Sequence, residues 1–562
     1  MQRVLAGLRP YLLFAGLFSF AMNLLLLAPP LYMLQVFDRV LTSRSGETLA
    51  VLTIAVALAL VTMAALDVVR AYLLAALGAA LDRRLGPEVL DGLLTDAGRL
   101  GGRDHANALR DVHCLRSFFS GSGILALFDA PWLPIFLVVI ALFHPLMGLM
   151  ALAGALLMLG LAFLNERTTR KPLERAQAEG RRAARFIDTS VRNADVVNAL
   201  GMLGSVTRRW SDFNEAAIAE QARATRSGAA LSALTKFSRQ FIQSAMLALG
   251  AWIVLDQQVT AGVMIAATIL LGRALAPVEQ LVAGWRALVE VRAAWRRLAE
   301  LFAKRPALEP PTALPAPQGQ VAVENLVFGV RGMPRPIIRG VSFSLVAGEA
   351  LGIIGPSASG KSTLARLLIG VWRPASGAVR LDAADVAAWP RAGLGPHIGY
   401  LPQDVELFPG TVARNIARLD EPDDGQIVRA AQRAHVHELI LRLPQGYDTE
   451  LGEGLLSPGQ RQRLALARAL YGDPRLVVLD EPNANLDQDG EQALLATLHA
   501  LKEEGVTVVL VAHRPSLLGA VDKVLVLREG AVEAFGPRAE ILSRVMRRAA
   551  GASSSAWWRR AW

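Results

Sequence analysis

Residues 355–363, GPSASGKST, have the types and spacing that hold phosphate groups. The two glycines let the backbone curl so that its N–H groups point at an anion, and the following helix turns its positive end towards the same anion. Lys361 is expected to reach the β- and γ-phosphates of a nucleotide, and Ser362 to offer a hydroxyl to Mg²⁺. The predicted phosphate loop comprises Gly355, Pro356, Ser357, Ala358, Ser359, Gly360, Lys361, Ser362 and Thr363.

An acidic pair follows the apolar run RLVVLDEP at 475–482. Asp480 is expected to hold the Mg²⁺ shell at the end of a strand, and Glu481 to polarise the attacking water. The segment VAHRP repeats this geometry and ends a strand near His513, within reach of a γ-phosphate. An acid after a strand is common, but downstream of a phosphate loop it indicates nucleotide hydrolysis.

A second anion-binding helix end is predicted in LLSPGQRQRLALARAL, residues 455–470. Ser457 has the type of an N-cap, and a helix is expected from about Pro458. The Ser457 hydroxyl and the Gly459 N–H make this helix end suitable for phosphate. Because one nucleotide needs only one phosphate loop, the second site predicts a homodimer, in which each loop faces the other subunit's LSPGQ.

The elements expected to position these motifs are short β-strands, predicted from runs of apolar and β-branched residues. VAVENLVF, EALGIIG, RLVVLD, TVVLVA and KVLVL alternate with helical segments over residues 321–548. This pattern predicts an α/β domain with a phosphate loop. The stretch 303–320, AKRPALEPPTALPAPQGQ, is too rich in proline for helix or sheet and predicts a semi-rigid linker. Residues 549–562 form a C-terminal tail with Trp and Arg.

The first half of the chain is suited to a lipid bilayer. Hydrophobic residues make up 53% of the 562 residues and charged residues 19%, which is too apolar for an average soluble protein. A spanning helix needs about 20 mostly apolar residues. Six such runs predict a polytopic α-helical membrane domain over residues 1–302: 11–36, 50–77, 122–143, 145–165, 230–254 and 261–285. Six in succession disfavour the alternative of buried soluble helices.

Arginine-rich loops set the expected orientation. Segments 78–121 and 166–229 are long and basic, whereas the connections 143–146 and 255–260 contain no Lys or Arg. The long loops, both termini and the nucleotide domain are therefore expected in the cytoplasm. The net charge of +10 is explained better by this topology than by nucleic-acid binding, so no nucleic-acid partner is expected. The long loops also look helical, which predicts that the membrane helices continue beyond their apolar runs.

Several ionisable residues fall inside or near the apolar runs: Asp67, Arg70, Asp129, Lys236, Arg239 and Arg273. Charge in hydrocarbon costs a few kcal/mol, so such groups usually face a bundle interior or a wet cavity. A polar path and snorkelling towards the interfaces remain equal alternatives for Lys236, Arg239 and Arg273. In the third run, Pro131 and Pro134 predict a kink.

The motifs GPSASGKS, YLPQD with Gln403, LSPGQ, LVVLDEP, NANLD and AHRP occur in the order typical of the ATP-binding cassette family, which the chain resembles. Six membrane runs ahead of the cassette resemble the exporter arm of that family. The segments PLYMLQVFDRVLTSRSGETL, LFDAPWLPIFL and NADVVNALGML are similar to the inner-membrane ATPases of type I secretion, especially protease and lipase exporters.

That resemblance implies a role for each motif. ATP phosphates and Mg²⁺ would be bound by the phosphate loop, with Gln403 as a nucleotide sensor that also contacts the metal. Glu481 would be the catalytic base and His513 would contact the γ-phosphate. In the dimer, Ser457, Gly459 and Gln460 would complete the partner's site, and Asp487 would help couple the two sites.

The resemblance also implies a cargo and partners. Members of that group move unfolded proteins out of the bacterial cytoplasm together with a membrane-fusion (adaptor) protein and an outer-membrane channel. The chain starts almost at its first membrane run, so the N-terminal peptidase of some relatives is expected to be absent. A lipid or small-molecule exporter with the same cassette is the alternative, and a nucleic-acid- or ribosome-associated ATPase a remote one.

Three features depart from the family pattern, one of them the shorter spacing of TELGEGLLSPGQ together with Ala484 in place of a usual Ser. Pro458 stands where Gly is usual, but at the first helical position its missing N–H is unpaired in any case. The usual adenine-stacking aromatic aligns with Val330, and Phe328 is expected on the other face of its strand. The position that usually stacks on adenine therefore carries an aliphatic residue in this chain.

Overall fold

A computed structural model describes residues 7–100, 108–303, 314–330, 335–452, 454–512 and 515–551. His513, most of the predicted Pro-rich linker and residues 552–562 of the predicted tail lie outside these ranges. The chain divides into two compact units. The second unit consists of Ala307–Trp562 and the short segment Thr95–Arg103.

The first unit is entirely helical in the part that is described. Its helices are α1 Arg9–Leu25, α2 Ala28–Gln35, α3 Leu41–Ser43, α4 Gly46–Leu100, α5 Ala108–Phe119, α6 Ser122–Asp129, α7 Leu133–Phe143, α8 Pro145–Arg192, α9 Ala194–Ala199, α10 Leu203–Leu255, α11 Ala261–Ala283 and α12 Trp285–Ala303. A π-helical turn, Val36–Val40, precedes α3, and a 3₁₀ turn, Ala130–Trp132, joins α6 to α7.

Three of these helices are far longer than a bilayer requires. Helices α4, α8 and α10 contain 55, 48 and 53 residues. At 1.5 Å per residue each is about 70–80 Å long, against a hydrocarbon core of about 30 Å. The prediction that the membrane helices continue well beyond their apolar runs is confirmed.

Five helical segments in the described residues are long and apolar enough to span a membrane: Arg9–Ser43, Gly46–Thr95, Gly123–Phe143, Pro145–Arg192 and Ala261–Val282. The predicted sixth run, 230–254, is helical within α10 but does not reach the same apolar level. Lys236, Arg239 and neighbouring glutamines lower its hydropathy. The count of six is therefore not reproduced by length and composition alone.

The third span is interrupted where the prolines predict it. Helix α6 ends at Asp129, Pro131 lies in the 3₁₀ turn, and Pro134 stands in the first turn of α7. A proline has no N–H to donate and its ring clashes with the preceding turn, so a regular helix cannot continue through this segment. The prolines thus interrupt the α-helix with a 3₁₀ turn, and the kink stays a prediction.

A buried ionic cluster joins three helices of the first unit. Arg70 on α4 is 6% exposed, and its Nη2 donates to Asp67 Oδ1 at 2.8 Å. Its Nη1 donates to Ser19 Oγ on α1 at 3.0 Å and lies 3.4 Å from Asp129 Oδ1 on α6. Asn23 Nδ2 donates to the same Asp129 oxygen at 3.0 Å. The charge of Arg70 is thus paired inside the bundle, as expected for an ionisable group within a span.

A second polar contact joins the π-helical turn to the start of α11. Asp38 accepts hydrogen bonds from Thr260 Oγ1 at 2.5 Å and from the Gly262 N–H at 3.0 Å. Its carboxylate therefore caps a helix that begins more than two hundred residues later in the chain. A Cβ atom on Gly262 would lie 2.5 Å from Asp38 Oδ1, so the close approach requires glycine.

The second unit is an α/β domain, as predicted. Its strands are β1 Val321–Phe328, β2 Ile338–Leu345, β3 Ala350–Ile354, β4 Ser376–Leu381, β5 Ala384–Asp385, β6 Ile398–Leu401, β7 Gly410–Thr411, β8 Glu450–Leu451, β9 Leu476–Asp480, β10 Thr507–Val511, β11 Lys523–Arg528 and β12 Ala531–Pro537. The five quoted β-type runs correspond to β1, β3, β9, β10 and β11.

Helices cover the main sheet of this unit. They are α13 Lys361–Leu368, α14 Arg391–Leu394, α15 Val412–Ile416, α16 Asp424–Arg433, α17 His437–Leu441, α18 Pro458–Leu470, α19 Gln488–Glu503 and α20 Arg538–Gly551. The six-stranded sheet has the order β12-β11-β3-β10-β9-β6, and only β12 pairs in the antiparallel sense. A four-stranded antiparallel sheet, β2-β1-β4-β5, packs beside it. Strands β3, β9 and β10 are completely buried, which explains their unbroken apolar sequence.

Candidate nucleotide site

The predicted nucleotide motifs follow neighbouring parallel strands. The phosphate loop follows β3, the acidic pair ends β9, and Gln403 comes two residues after β6. Strands β3, β10, β9 and β6 are adjacent and parallel, so their carboxyl ends meet at one edge of the sheet. This edge is the usual ligand site of open α/β sheets. The structure therefore brings the loop, the acidic pair and Gln403 together.

Two glycines shape the phosphate loop. Gly360 precedes α13 with a φ of 101°, a left-handed conformation that favours glycine. At Gly355, an added Cβ would lie 2.1 Å from the carbonyl oxygen of Leu527 on β11, so no side chain fits. The loop is thus held in a curve that opens onto the N-terminus of α13.

Lys361 is buried in this loop. It is 5% exposed, and its Nζ donates to the carbonyl oxygens of Gly355 at 2.9 Å and Pro356 at 3.0 Å. Burial lowers the pKa of Lys361, while the nearby carboxylates of Glu481 and Asp480 raise it. The cation is held by neutral carbonyl groups, so a phosphate oxygen would be a better partner than either of them.

Asp480 lies fully buried opposite the start of α13. Ser362 Oγ donates to its Oδ1 at 3.2 Å, whereas Oδ2 is buried and has no hydrogen-bond partner among the described residues. Burial raises the pKa of Asp480, and the Ser362 hydrogen bond acts in the opposite direction. A buried carboxylate oxygen without a partner, beside a hydroxyl, is a donor set that suits a hard cation such as Mg²⁺. The residues present therefore fit the predicted metal.

Glu481 follows with a strained backbone. Its φ is 50°, a left-handed conformation that costs free energy for a residue with a side chain, and its N–H donates to the Val511 carbonyl at 3.1 Å. Gln403 Nε2 donates to Glu481 Oε2 at 3.0 Å. The left-handed conformation makes the backbone leave the direction of β9 at Glu481. The hydrogen bond joins Glu481 to Gln403, which lies 78 positions earlier in the chain.

Gln462 is a site residue that the sequence reasoning missed. It is 2% exposed, its Nε2 donates to the Glu481 carbonyl at 3.3 Å, and its Oε1 accepts from the Asn485 N–H at 3.1 Å. It therefore ties α18 to the segment that follows β9. The sequence signal that could have identified Gln462 is its place as a polar residue on the apolar face of α18.

The start of α18 agrees with the prediction. Ser457 is the N-cap and Pro458 the first helical residue. The Gln460 N–H donates to Ser457 Oγ at 3.2 Å, and the Ser457 N–H donates to Gln460 Oε1 at 2.9 Å, which forms a capping box. Within this chain the side chains of Ser457 and Gln460 serve the helix end. Gly459 lies in the same first turn.

Asp487 caps the next helix, α19, by accepting from the Gly490 N–H at 2.8 Å. This hydrogen bond lies within the first turn of α19. No hydrogen bond in the described residues joins Asp487 to Glu481 or Gln403. His513, the remaining predicted site residue, lies outside the described residues.

Phe328 lies at the end of β1, with its ring in the core of the cassette. It is 3% exposed and stacks on Trp372, with ring centroids 5.1 Å apart and planes at 12°. The guanidinium of Arg366 lies over the Trp372 ring, 4.9 Å from its centroid. Phe328 is thus used for packing.

Comparison with known proteins assigns both halves of the chain. The ABC transporter transmembrane region matches residues 12–277, and the ABC transporter family matches residues 338–484. The type I secretion system ATP-binding protein PrsD of Rhizobium meliloti is 45% identical over 95% of this chain and 92% of its own length. The toxin RTX-I translocation ATP-binding protein of Actinobacillus pleuropneumoniae is 29% identical, over 93% of this chain and 75% of its own.

A solved structure extends this likeness to three dimensions. A bacterial Atm1-family ABC exporter with ATP bound has a TM-score of 0.82 and 27% identity, covering 98% of this chain and 100% of the other. The similarity therefore includes both the helical unit and the nucleotide unit. The chain belongs to the ABC transporter family, among the type I secretion ATP-binding proteins, and is a multi-pass membrane ATPase.

Proposed function

We propose that the chain is the ATPase and membrane-spanning subunit of a type I secretion system and moves an unfolded protein of the protease, lipase or RTX type out of the cytoplasm. The observation that carries the proposal is the 45% identity to a type I secretion ATP-binding protein over nearly the whole of both chains. Export of lipid or small molecules by the same cassette is the alternative.

The nucleotide chemistry follows from the residues at the sheet edge. The loop amides, Lys361 and Thr363 bind the ATP phosphates, and Ser362, Asp480 and Gln403 hold Mg²⁺. When bound, that ion neutralises charge on the phosphate oxygens. Glu481 accepts a proton from the attacking water, and His513 contacts the γ-phosphate.

Two copies of the chain form the working unit. The capped end of α18, with Ser457, Gly459 and Gln460, completes the phosphate site of the partner, and Asp487 helps to couple the two sites. ATP binding favours the closed dimer, and hydrolysis weakens it through charge repulsion between the products. The cassette thus acts as a two-state device biased by its ligand.

The same proposal includes the cellular location, the membrane orientation and the domain boundaries of the protein. The chain lies in the bacterial inner membrane with both termini and the cassette in the cytoplasm. Its membrane domain covers residues 1–302, its linker 303–320, its cassette 321–548 and its tail 549–562. A membrane-fusion protein and an outer-membrane channel complete the path, and nucleic acid is not a partner.

Secretion by the host cell tests the proposal. Cells carrying the Lys361→Ala chain are compared with wild-type cells by mass spectrometry of the culture medium, with Lys171→Ala as a matched control on an exposed part of α8. We expect at least one secreted protein to disappear from the medium and to accumulate in the Lys361→Ala cells. An unchanged set of secreted proteins with an altered lipid composition would instead favour the alternative.

A further inference from the structure

Arg273 is an exposed charge within an apolar span. It lies on α11 inside the segment Ala261–Val282, and no ion-pair or hydrogen-bond partner is found for it among the described residues. Twelve residues separate it from the start of α11, or about 18 Å along the helix axis. In a hydrocarbon core of about 30 Å, a side chain at this depth that faced lipid would lie among the acyl chains. That costs several kcal/mol, which favours an orientation of Arg273 towards water or protein.

The contacts between α10 and α11 define which side Arg273 occupies. Arg239 Nε lies 3.1 Å from Glu279 Oε2. An added Cβ on Gly272 would lie 2.6 Å from Gln243 Nε2, and one on Gly250 would lie 2.6 Å from Met264 Cγ. The two helices therefore pack antiparallel along a seam that includes Arg239, Gly272 and Glu279.

On each helix, an exposed polar residue comes directly after a seam residue in the sequence. Gln240 follows Arg239, while Arg273 and Gln280 follow Gly272 and Glu279, so each is turned by about 100° from the seam about its own axis. Because the helices are antiparallel, equal rotations bring the three side chains to the same side of the pair. Lys236 precedes Gln240 by four residues and shares its face. We name this surface the cationic face: Lys236, Gln240, Arg273 and Gln280, all exposed.

We propose that the cationic face binds the extended cargo polypeptide and selects chains rich in Asp and Glu. This inference rests on the proposed function and names the surface that meets the cargo. Of the two alternatives for Arg273, it adopts the polar path in place of snorkelling.

The chemistry of the face fits an unfolded chain. An extended polypeptide inside a membrane protein carries backbone N–H and C=O groups that have lost water and need partners. Glutamine side chains donate and accept, so Gln240 and Gln280 can serve any backbone irrespective of its sequence. Lys236 and Arg273 add two positive charges, which pair with carboxylates. Lipid tails offer no such partner.

A second copy of this chain fits the face poorly. In a twofold dimer the same patch meets itself, so cations would approach cations. Glu279, the nearest carboxylate at the seam, is already paired with Arg239. Two copies that leave their cationic faces open to a shared cavity would instead present four positive charges to the cargo.

Peptide binding to the full-length, detergent-solubilised protein tests the inference. The probe is a fluorescent, unstructured peptide of Asp and Gly, matched by a peptide with Lys in place of Asp, and the Kd is measured by fluorescence anisotropy without nucleotide. We expect the acidic peptide to bind more tightly. Arg273→Gln and Lys236→Gln should each weaken it by about 3- to 10-fold, as for one partly hydrated ion pair.

Further variants separate charge from folding. Arg273→Lys keeps the charge and should retain most of the binding, whereas Arg273→Glu should weaken the acidic peptide further and improve the Lys peptide. Lys171→Gln removes an exposed charge on α8, away from the face, and should leave the Kd unchanged. Thermal unfolding of each variant shows whether the fold is kept.

Three outcomes would overturn the inference in distinguishable ways. Equal Kd values for wild type and Arg273→Gln would exclude the face and leave polypeptide export standing. No binding of either peptide to wild type, with ATPase stimulation by lipid, would remove the proposed function as well. A dimer that dissociates at higher concentration in Arg273→Gln, with unchanged peptide binding, would make the face a subunit contact.

Discussion

Glu481 and Gln403 meet across the edge of the sheet although neither is next to the other in sequence. The left-handed backbone of Glu481 is what turns its carboxylate towards Gln403. The motif DEP predicted an acid at this place but not that conformation, because a propensity for strand says nothing about the residue that leaves it. The strain is kept by the Val511 and Gln462 hydrogen bonds.

At Glu481, replacement by Gln should abolish ATP hydrolysis while ATP binding is kept, because the amide retains the shape and cannot accept the proton of water. The ATP-bound dimer should accumulate in size-exclusion chromatography. Glu503→Gln, the same change at the exposed end of α19, serves as the control and should turn over normally. Full turnover in Glu481→Gln would exclude Glu481 as the base.

Phe328 allows packing and nucleotide binding to be separated. Phe328→Leu should lower the free energy of unfolding of the cassette by about 1–2 kcal/mol, since it removes the stacking on Trp372 and part of the ring volume. ATP affinity should stay within about twofold, because the ring lies in the core. Chemical unfolding and nucleotide titration measure the two effects. Reduced affinity at unchanged stability would instead place the ring in the adenine site.

At the scale of elements, helix ends were more predictable than contacts between elements. Ser457 and Pro458 have the residue types of an N-cap and a first helical residue, and α18 begins there. The interruption of the helix near Pro131 was equally readable, because a proline acts on its own turn. The contact of Asp38 with the start of α11 and the Arg70 cluster were not readable, since the partner residues lie on distant segments and depend on how the helices pack.

The capping box of α18 has a measurable contribution. Ser457→Ala should reduce the free energy of unfolding of the cassette by about 0.5–2 kcal/mol, because the Gln460 N–H loses its acceptor. Ser457→Thr keeps the acceptor and should lie close to wild type. Denaturant unfolding of the purified chain is the measurement. Equal stability of the alanine and threonine variants would contradict a structural role for the cap.

On the scale of the whole molecule, the alternation of strands and helices and the long apolar runs gave the two-part architecture. The number of spans was less certain, because α10 mixes an apolar run with Lys236 and Arg239. Charged residues in a span are tolerated when they pair or face water, so hydropathy alone does not decide whether the run 230–254 crosses the membrane. What sequence could not supply is the packing that pairs Arg239 with Glu279.

Mixed dimers test the proposed assembly. Lys361→Ala damages the phosphate loop, and Gly459→Asp damages the helix end that serves the partner, where a Cβ would lie 2.6 Å from the Asn485 carbonyl. Each variant alone has two broken sites. A dimer of one of each has one intact site, so co-expression should restore ATP hydrolysis and dimer closure in part. Mixed dimers no more active than either variant alone would contradict shared sites.

The contact of Asp38 with the start of α11 has a consequence for sequence divergence. The Asp38 carboxylate and the Leu34 carbonyl oxygen both occupy the space that a Cβ on Gly262 would need, so a substitution at 262 displaces Asp38 and also presses on the backbone of α2. Glycine is therefore expected to persist at 262 among related exporters even where the residue at 38 varies, although a large part of the chain separates the two positions.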